Sequence, residues 1–190
     1  MIRTKDDLRE YLQCEKEIYA CSAFLRFCPL HLTERQILYK HSHLLRKTEY
    51  YFNRKQRLLF RYYLFRLSRI QNRYALHIPI NVFDKGLSMP HVVPVVVNAS
   101  SRVGKYCRLN LGVNIGEIDG AAPVLGDYVY LGPGAKIFGG IRLADGIWVG
   151  ANAVVNKSCE EKGATLVGIP AKVVKIVPER ARDKDDRKCQ

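Results

Sequence analysis

The amino-acid sequence predicts a mainly β protein, a parallel β-helix shaped as a triangular prism, preceded by an α-helical N-terminal segment. The first observation is a six-residue spacing of aliphatic residues between positions 97 and 155. The second is that Gly or Asn directly follows most of these aliphatics. The third is that residues 1–76 lack the spacing and hold 16 Lys and Arg against 7 Asp and Glu. A fixed short period of this kind indicates a solenoid before any single residue is considered.

The repeat explains how such a chain folds. Because six residues are three strand periods, the leading aliphatic of each hexapeptide points to the same side of a short strand. Three hexapeptides close one triangular coil, and stacked coils bury a continuous aliphatic column. An antiparallel sandwich would instead show hairpin turns about every 8–12 residues and no constant phase. The ten leading residues are Val97, Val103, Leu109, Ile115, Leu125, Leu131, Ile137, Leu143, Val149 and Val155.

Interruptions of the repeat define corners, loops and boundaries. Gly and Asn after the leading residue predict corners where the backbone takes positive φ. The spacing breaks once, between Ile115 and Leu125, where four extra residues predict a projecting loop. A less regular first coil is expected to begin near Ile78. We therefore predict a helical segment over 1–76, a β-helix over 77–177 and a charged tail over 178–190.

The N-terminal segment predicts three helices. The first covers 4–20, and Thr33 and Gln36 have the spacing of a capping box that opens the second. The third, over 55–74, interleaves arginines with Leu, Tyr and Phe. Such a helix commonly packs its apolar side on the prism or on a sister subunit, and it is also typical of contact with an anionic membrane surface. No recognition motif accompanies the positive charge, so no nucleic-acid partner is predicted.

Cysteine usage predicts a reduced, cytoplasmic protein. The cysteines form no CxxC pair, and two of them fall on inward positions of the repeat, where a thiol is a small apolar filler. The N-terminus is too polar for a signal peptide, and the longest apolar run, 92–97, is too short to span a bilayer. Membrane-peripheral contact through the third helix is an additional hypothesis. The six cysteines are Cys14, Cys21, Cys28, Cys107, Cys159 and Cys189.

Two motifs resemble those of a known family. The segment GPGAKIFGGIRLADGIWVGANAVV (132–155) and the closing VGIPAKVV (167–174) are similar to the left-handed parallel β-helix acyltransferases with hexapeptide repeats. Within that family the chain looks most like the serine acetyltransferase branch, including its relatives from polysaccharide gene clusters. The resemblance implies a left-handed prism, a homotrimer, and acetyl-CoA lying in the groove between adjacent prisms.

The resemblance implies that His91 is the catalytic base. In GLSMPHVVPVVV this histidine follows a Gly-aliphatic stretch and precedes a Val-Val strand, as the family's base does. Transfer of acetyl from a thioester to a hydroxyl needs a base at neutral pH, which imidazole provides, and backbone N–H donors for the oxyanion. The alternative is an incidental surface histidine. The other histidine of the β region, His77, is expected to be structural.

The resemblance also implies contacts with acetyl-CoA. The GPGA turn would run beside the pantetheine arm, where small residues allow close approach, and the turn at 150–151 would repeat this geometry one coil later. The closing motif and nearby lysines would meet the nucleotide end; for the lysines the alternative is a solvated face. The implied residues are Gly132, Pro133, Gly134, Ala135, Gly150, Ala151, Lys157, Pro170, Ala171, Lys172 and Lys175.

Two positions depart from the serine acetyltransferase pattern. Leu76 stands where the resemblance implies a carboxylate that orients the base, and Ala122 stands where it implies a histidine that holds the amino-acid acceptor. The loop after the fourth repeat, with Asn114, Glu117 and Asp119, is the predicted substrate loop. Glu117 or Asp119 is a candidate replacement for the missing carboxylate.

We therefore predict an acetyl-CoA-dependent O-acetyltransferase that acts on a hydroxyl of a sugar or surface-polysaccharide precursor by direct attack. The alternative is a serine O-acetyltransferase of cysteine biosynthesis. A third class is a non-catalytic trimeric scaffold or a zinc enzyme on the same prism. Zinc catalysis there requires three histidines, and the β region contains only His77 and His91, so no metal is predicted. His31, His41 and His43 belong to the helical segment, where 41 and 43 point apart.

Overall fold

Within the described residues, three α-helices precede the prism. The structure, a computed structural model, describes residues 1–19 and 33–181, in which α1 is Lys5–Tyr19, α2 is Glu34–Asn53 and α3 is Arg57–Tyr74. The predicted capping box is confirmed: Thr33 Oγ1 accepts a hydrogen bond from the Gln36 N–H, and the Gln36 side chain accepts one from the Thr33 N–H. The predicted helices over 4–20 and 55–74 agree with α1 and α3. Cys21, Cys28, His31 and Cys189 lie outside the described residues.

In the part of the chain that the structure describes, the β region consists of thirteen short strands followed by a 3-10 helix, Pro178–Ala181. The strands are β1 (Leu76–His77), β2 (Val95–Val97), β3 (Arg102–Val103), β4 (Arg108–Leu109), β5 (Asn114–Gly116), β6 (Val124–Leu125), β7 (Tyr130–Leu131), β8 (Lys136–Phe138), β9 (Arg142–Leu143), β10 (Trp148–Val149), β11 (Val154–Val155), β12 (Ala164–Val167) and β13 (Lys172–Ile176).

These strands form the three faces of a prism of about five coils. Face 1 has the order β1-β2-β5-β8-β11, face 2 has β3-β6-β9, and face 3 has β13-β12-β10-β7-β4. Neighbouring strands are parallel, except that β13 folds back antiparallel on β12. The leading aliphatics stand in register between coils, as in the pairs Ile115–Ile137 and Leu109–Leu131. The predicted parallel β-helix behind a helical segment is therefore confirmed.

The core follows the six-residue repeat. All ten leading aliphatics are buried, and with one exception the residue four positions after each of them is buried as well, because alternate strand residues point inward. Cys107 and Cys159 occupy such positions as buried free thiols, which confirms their predicted filler role. Asp119 is the exception, since it lies in the loop that interrupts the repeat. Each buried Leu, Ile or Val contributes about 1.5–3 kcal/mol relative to an exposed one.

The predicted origin of the corners is wrong. Glycines directly after a leading residue have ordinary φ, and the left-handed residues lie three positions after it, such as Tyr128 (φ 59°) and Gly134 (φ 72°). Gly132 is required for another reason. A Cβ on it would lie 2.7 Å from the Val149 carbonyl oxygen and 2.9 Å from the Ala151 nitrogen of the next coil. Close stacking of coils, rather than backbone handedness, therefore excludes larger residues at this corner.

The first coil and the loop agree with the interrupted spacing. The first strand starts at Leu76, slightly before the expected Ile78, and single parallel bridges at Phe83 and Ser88 continue faces 2 and 3. The inserted loop is closed by paired backbone hydrogen bonds between Ile118 and Ala121. The predicted loop is therefore present. The exact boundary between the helical segment and the β-helix stays a prediction, as does the extent of the tail.

The helices are fixed to the first coil by a buried ion cluster. Arg46 of α2 donates to Glu15 of α1 at 2.7 Å and to Glu49 at 3.0 Å. It also donates to the carbonyl oxygens of Phe83 and Asp84 in the first coil at 2.8 Å. The guanidinium is fully buried, and its pKa is raised by the two carboxylates. This cluster therefore joins α1, α2 and the start of the prism.

Helix α3 packs on α2 but keeps much of its apolar surface exposed. Tyr51 and Tyr63 stack with ring centroids 5.0 Å apart, and Leu67 is buried. Leu58 and Phe65 point outward, with 86% and 62% of their surface exposed. Packing on the core therefore accounts for only part of the amphipathic pattern. No helix within the described residues is long and apolar enough to cross a bilayer.

Candidate active site

One edge of the prism gathers most of the predicted site. Between face 3 and face 1 the chain turns at 90–94, 110–113, 132–135 and 150–153; we call this the 3–1 edge. The turn at 168–171 connects β12 to β13 within face 3 and lies beside this edge, where Gly168 O accepts from Val154 N. The turns are joined by backbone hydrogen bonds from Gly112 N to Pro94 O (2.9 Å), from Gly134 N to Leu111 O (2.7 Å) and from Asn152 N to Pro133 O (2.8 Å). The turn with His91 is thus aligned with the turns of the GPGA and GIPAK motifs. Two coil spacings, about 10 Å, separate 90–94 from 132–135.

His91 projects from the 3–1 edge towards the N-terminal helices. Its Nδ1 lies 3.1 Å from Oε2 of Glu34, the first residue of α2, and both side chains are more than half exposed. An ionised carboxylate only accepts hydrogen bonds, so Nδ1 carries the proton and donates it. In the neutral imidazole the lone pair is then on Nε2, which is free to act as the base. The imidazole therefore has the tautomer required to take a proton from a hydroxyl.

Sequence reasoning missed Glu34. The expected position for an orienting carboxylate, Leu76, is fully buried in the core, so it cannot reach His91. Glu34 is 57 positions before His91, and no local spacing connects them. The available signal was its place in the first turn of a capped helix, where acidic residues are favoured. That signal has a purely structural explanation, so it does not point to a site.

The GPGA turn presents a narrow surface of small residues. Its N–H groups are already used, since Gly132 N donates to Val149 O, Gly134 N to Leu111 O, and Ala135 N to Gly132 O. These amides are therefore not free to stabilise an oxyanion. The turn can still accept hydrogen bonds from the amides of a pantetheine arm at its carbonyl oxygens. Beside it, Lys136 Nζ donates to Gly112 O at 2.8 Å, a cation that the sequence prediction left out.

The closing motif continues the same edge. Val154 N donates to Gly168 O, and Ala171 N donates to Val154 O at 2.8 Å. The closing motif therefore lies beside Val154, the first residue of β11, which follows the turn of Gly150 and Ala151. Lys172 begins β13 beside Val167, at the end of face 3 that borders this edge.

The other two lysines lie elsewhere. Lys157 is in the turn between face 1 and face 2, where it lines a cavity of about 400 Å³ with Glu160 and Glu161. Lys175 pairs with Thr165, further along β13 from the 3–1 edge. A single chain therefore brings one of the three lysines to the predicted cofactor edge. A joint role of all three stays a prediction.

The predicted substrate loop is on a different edge from His91. Asn114 lies in β5, and the loop with Glu117 and Asp119 connects face 1 to face 2. Glu117 accepts a hydrogen bond from Asn98 at 3.2 Å, and Asp119 is exposed. Three strand residues, about 10 Å, separate this edge from the 3–1 edge. The carboxylate at His91 in this chain is Glu34, in place of the expected Glu117 or Asp119.

Two further histidines of the described residues lie in other elements, His41 in α2 and His77 in β1. His41 is fully buried in α2, with Gln71 Nε2 at 3.4 Å from its Nε2, and burial lowers its pKa to about 4. His77 is in β1, beside Val96 of β2. Over 1–19 and 33–181, no three His, Cys, Asp or Glu side chains are grouped so that they could hold a metal ion.

Comparisons with known proteins identify the family. No family model matches the chain. A serine acetyltransferase of Helicobacter pylori is 31% identical over 142 residues, which cover 73% of this chain and 78% of the relative. One of Synechococcus elongatus is 31% identical over 112 residues, 57% of this chain and 45% of the relative, so the match spans under half of that protein.

A solved structure supports the same fold. A serine acetyltransferase in complex with CoA has a TM-score of 0.66 and 22% identity, covering 90% of this chain and 71% of that one. The identity to this structure shows likeness of fold only. The Helicobacter pylori match is long enough, and its identity high enough, to show membership of a family. By that match, the chain belongs to the serine acetyltransferase family.

Proposed function

We propose that this protein is an acetyl-CoA-dependent O-acetyltransferase whose acceptor is the hydroxyl of L-serine. The observation that carries the proposal is His91 on the 3–1 edge, with Nδ1 bound by Glu34 and Nε2 left to act as base. Membership of the family supports the acyltransferase class and acetyl-CoA as co-substrate. The relatives are named serine acetyltransferases, so serine replaces the sugar hydroxyl as the leading acceptor.

The chemistry follows from one base. His91 Nε2 takes the hydroxyl proton as the oxygen attacks the thioester carbonyl, which forms a tetrahedral intermediate. When the intermediate collapses, the C–S bond breaks and the imidazolium returns the proton to the leaving thiolate. The products are an O-acetyl ester and CoA, and no enzyme group is acylated. A general base of this kind typically contributes about 10²–10⁴-fold to the rate.

The 3–1 edge supports a path for acetyl-CoA. The pantetheine arm would follow the turns of Gly150 and Gly132 towards His91, and the nucleotide would lie near Pro170 and Lys172. Small side chains along these turns leave room for an extended chain. The backbone carbonyl oxygens there can accept from its amide groups.

A sugar hydroxyl is the second candidate acceptor. Leu76 and Ala122 have hydrocarbon side chains, so neither supplies the polar group that the serine branch implies at these positions. Free thiol should be followed with acetyl-CoA and either L-serine or candidate sugar acceptors. Serine-dependent thiol release that is lost in His91→Ala supports the leading proposal. Release with sugars alone would favour the second acceptor, and undiminished turnover in His91→Ala would exclude the mechanism.

A homotrimer would join the two separated edges. His91 is exposed at one edge of face 1 and the predicted substrate loop lies at the other, so a neighbouring prism could place Glu117 or Asp119 opposite His91. Light scattering of the full chain tests the trimer. Mixed assemblies of His91→Ala and Glu117→Gln subunits test the shared site. Where His91 of a Glu117→Gln subunit meets Glu117 of a His91→Ala subunit, the interface contains both wild-type residues, so activity should return. A monomeric active enzyme would exclude the arrangement.

The exposed side of α3 supports a membrane-peripheral location. Leu58, Tyr62 and Phe65 share one helical face and are all more than half exposed. Arg66 and Arg69 lie over the Tyr62 and Phe65 rings at 5.7 and 5.8 Å, which places positive charge around the apolar residues. Apolar and cationic groups arranged in this way suit an anionic lipid surface. Flotation with anionic vesicles should be reduced by Leu58→Ser/Phe65→Ser, and equal partitioning of both proteins would contradict this location.

A further inference from the structure

We infer that Glu34 is a positioning residue for His91, so that the helical segment, rather than the β-helix, supplies the group that orients the catalytic base. The inference rests on the proposed function, because it concerns how that base is held. It goes beyond the family resemblance, which implied an orienting carboxylate at position 76 of the β region.

The local geometry fits an orienting contact. Glu34 Oε2 and His91 Nδ1 are 3.1 Å apart, within hydrogen-bonding distance. The capping box of Thr33 and Gln36 fixes the first turn of α2, and Leu38, one turn later, is fully buried. Glu34 is therefore presented from an anchored helix end.

His91 is held from the same side. The Tyr19 hydroxyl of α1 accepts from Met89 N at 3.2 Å and donates to Leu87 O at 3.3 Å, just before His91 in the chain. Arg46 binds the carbonyl oxygens of Phe83 and Asp84 in the same coil. The helices thus fix both partners of the contact through buried groups. A rigid connection of this kind is what maintains a catalytic side chain in one orientation.

Competing carboxylates do not take this position in the described residues. Position 76 is apolar and buried, and Glu117 is bound to Asn98 on another edge. Because Glu34 and His91 are both largely exposed, their pairing contributes little to folding stability. The main effect of the pair is therefore expected on the reactivity of His91.

Kinetics of the full-length protein with acetyl-CoA and L-serine test the inference. We expect Glu34→Gln to lower kcat/KM about 10- to 100-fold at unchanged melting temperature, mainly through kcat. Glu34→Asp should restore part of the loss. Asp6→Asn, which removes an exposed acid from the first turn of α1, should match the wild type.

A double variant separates positioning from other roles. In the His91→Ala background, Glu34→Gln should cause no further loss, since the two residues act as a unit. An equal loss in both backgrounds, or a change confined to the KM for serine, would overturn the inference and assign Glu34 to another role. Activity retained in His91→Ala would instead contradict the proposed function.

A spectroscopic measurement requires no turnover. In ¹⁵N-histidine-labelled protein, the His91 signal, assigned by its absence in His91→Ala, should report the Nδ1–H tautomer. Glu34→Ala, which removes the acceptor at Nδ1, should shift the signal towards the Nε2–H tautomer. An unchanged tautomer would overturn the inference even if L-serine is not the acceptor.

Discussion

The guanidinium of Arg46 donates to the carboxylate of Glu15 at 2.7 Å, and both side chains are almost completely removed from solvent. Glu49 completes the cluster from the same helix as Arg46. Burial raises the pKa of Glu15 to about 7 despite the attraction of Arg46. Glu49 adds to this increase, because the two carboxylates share one cation. The cluster connects α1 and α2 to the coil that leads to His91.

Removal of Arg46 should therefore destabilise the protein strongly. We expect Arg46→Met to lower the free energy of unfolding by about 3–5 kcal/mol, because it leaves buried carboxylates without a cation. Urea unfolding followed by circular dichroism measures the change. The exposed pair of Arg9 and Asp6 provides the control, and Arg9→Gln should change stability by less than about 1 kcal/mol. Similar losses in the two variants would contradict the structural role of the cluster.

His41 should make stability depend on pH. Its pKa is lowered to about 4 by burial, against about 6.5 in an unfolded chain. Its contribution is therefore fully present above about pH 6.5 and is lost as the pH falls towards 4. The difference in unfolding free energy between wild type and His41→Gln should shrink by about 2 kcal/mol between pH 7 and pH 5. Glu15, whose pKa is raised, has the opposite effect on the pH dependence of stability, but it is present in both proteins and cancels in the difference. Parallel pH curves for the two proteins would show that His41 is not buried as a neutral group.

Close stacking of the coils can be tested at Gly132. A methyl group there would meet backbone atoms of the next coil at 2.7 and 2.9 Å, and backbone cannot rotate away. Gly132→Ala should therefore cost about 1–3 kcal/mol of stability. Gly120 is in the inserted loop with φ +75° and nothing within 4 Å, so Gly120→Asn is a suitable control, since Asn tolerates this backbone region. Equal melting temperatures for the two variants would rule out the stacking explanation.

The sequence predicted what depends on local periodicity. The buried line from Val97 to Val155 was predictable because strand alternation and a fixed period determine which side chains point inward. The reason for Gly132 was not, because it depends on backbone atoms one full coil away. Glu34 was missed for a similar reason, since its relation to His91 exists only once α2 is docked on the first coil. Residues joined by tertiary packing alone leave no spacing in the sequence.

Recognition of the CoA nucleotide should depend on which lysine lies near the 3–1 edge. Lys172 borders the 3–1 edge, whereas Lys157 is in a turn on another edge of the same prism. If Lys172 contacts the 3′-phosphate, Lys172→Ala should raise the KM for acetyl-CoA about 2- to 5-fold, as expected for an exposed ion pair. With acetyl-dephospho-CoA, which lacks that phosphate, wild type and variant should have equal KM values. Lys157→Ala is the matched control. An equal rise in its KM for acetyl-CoA would place Lys157 of a neighbouring prism at the nucleotide. An unchanged KM in both variants would show that neither lysine contacts the phosphate.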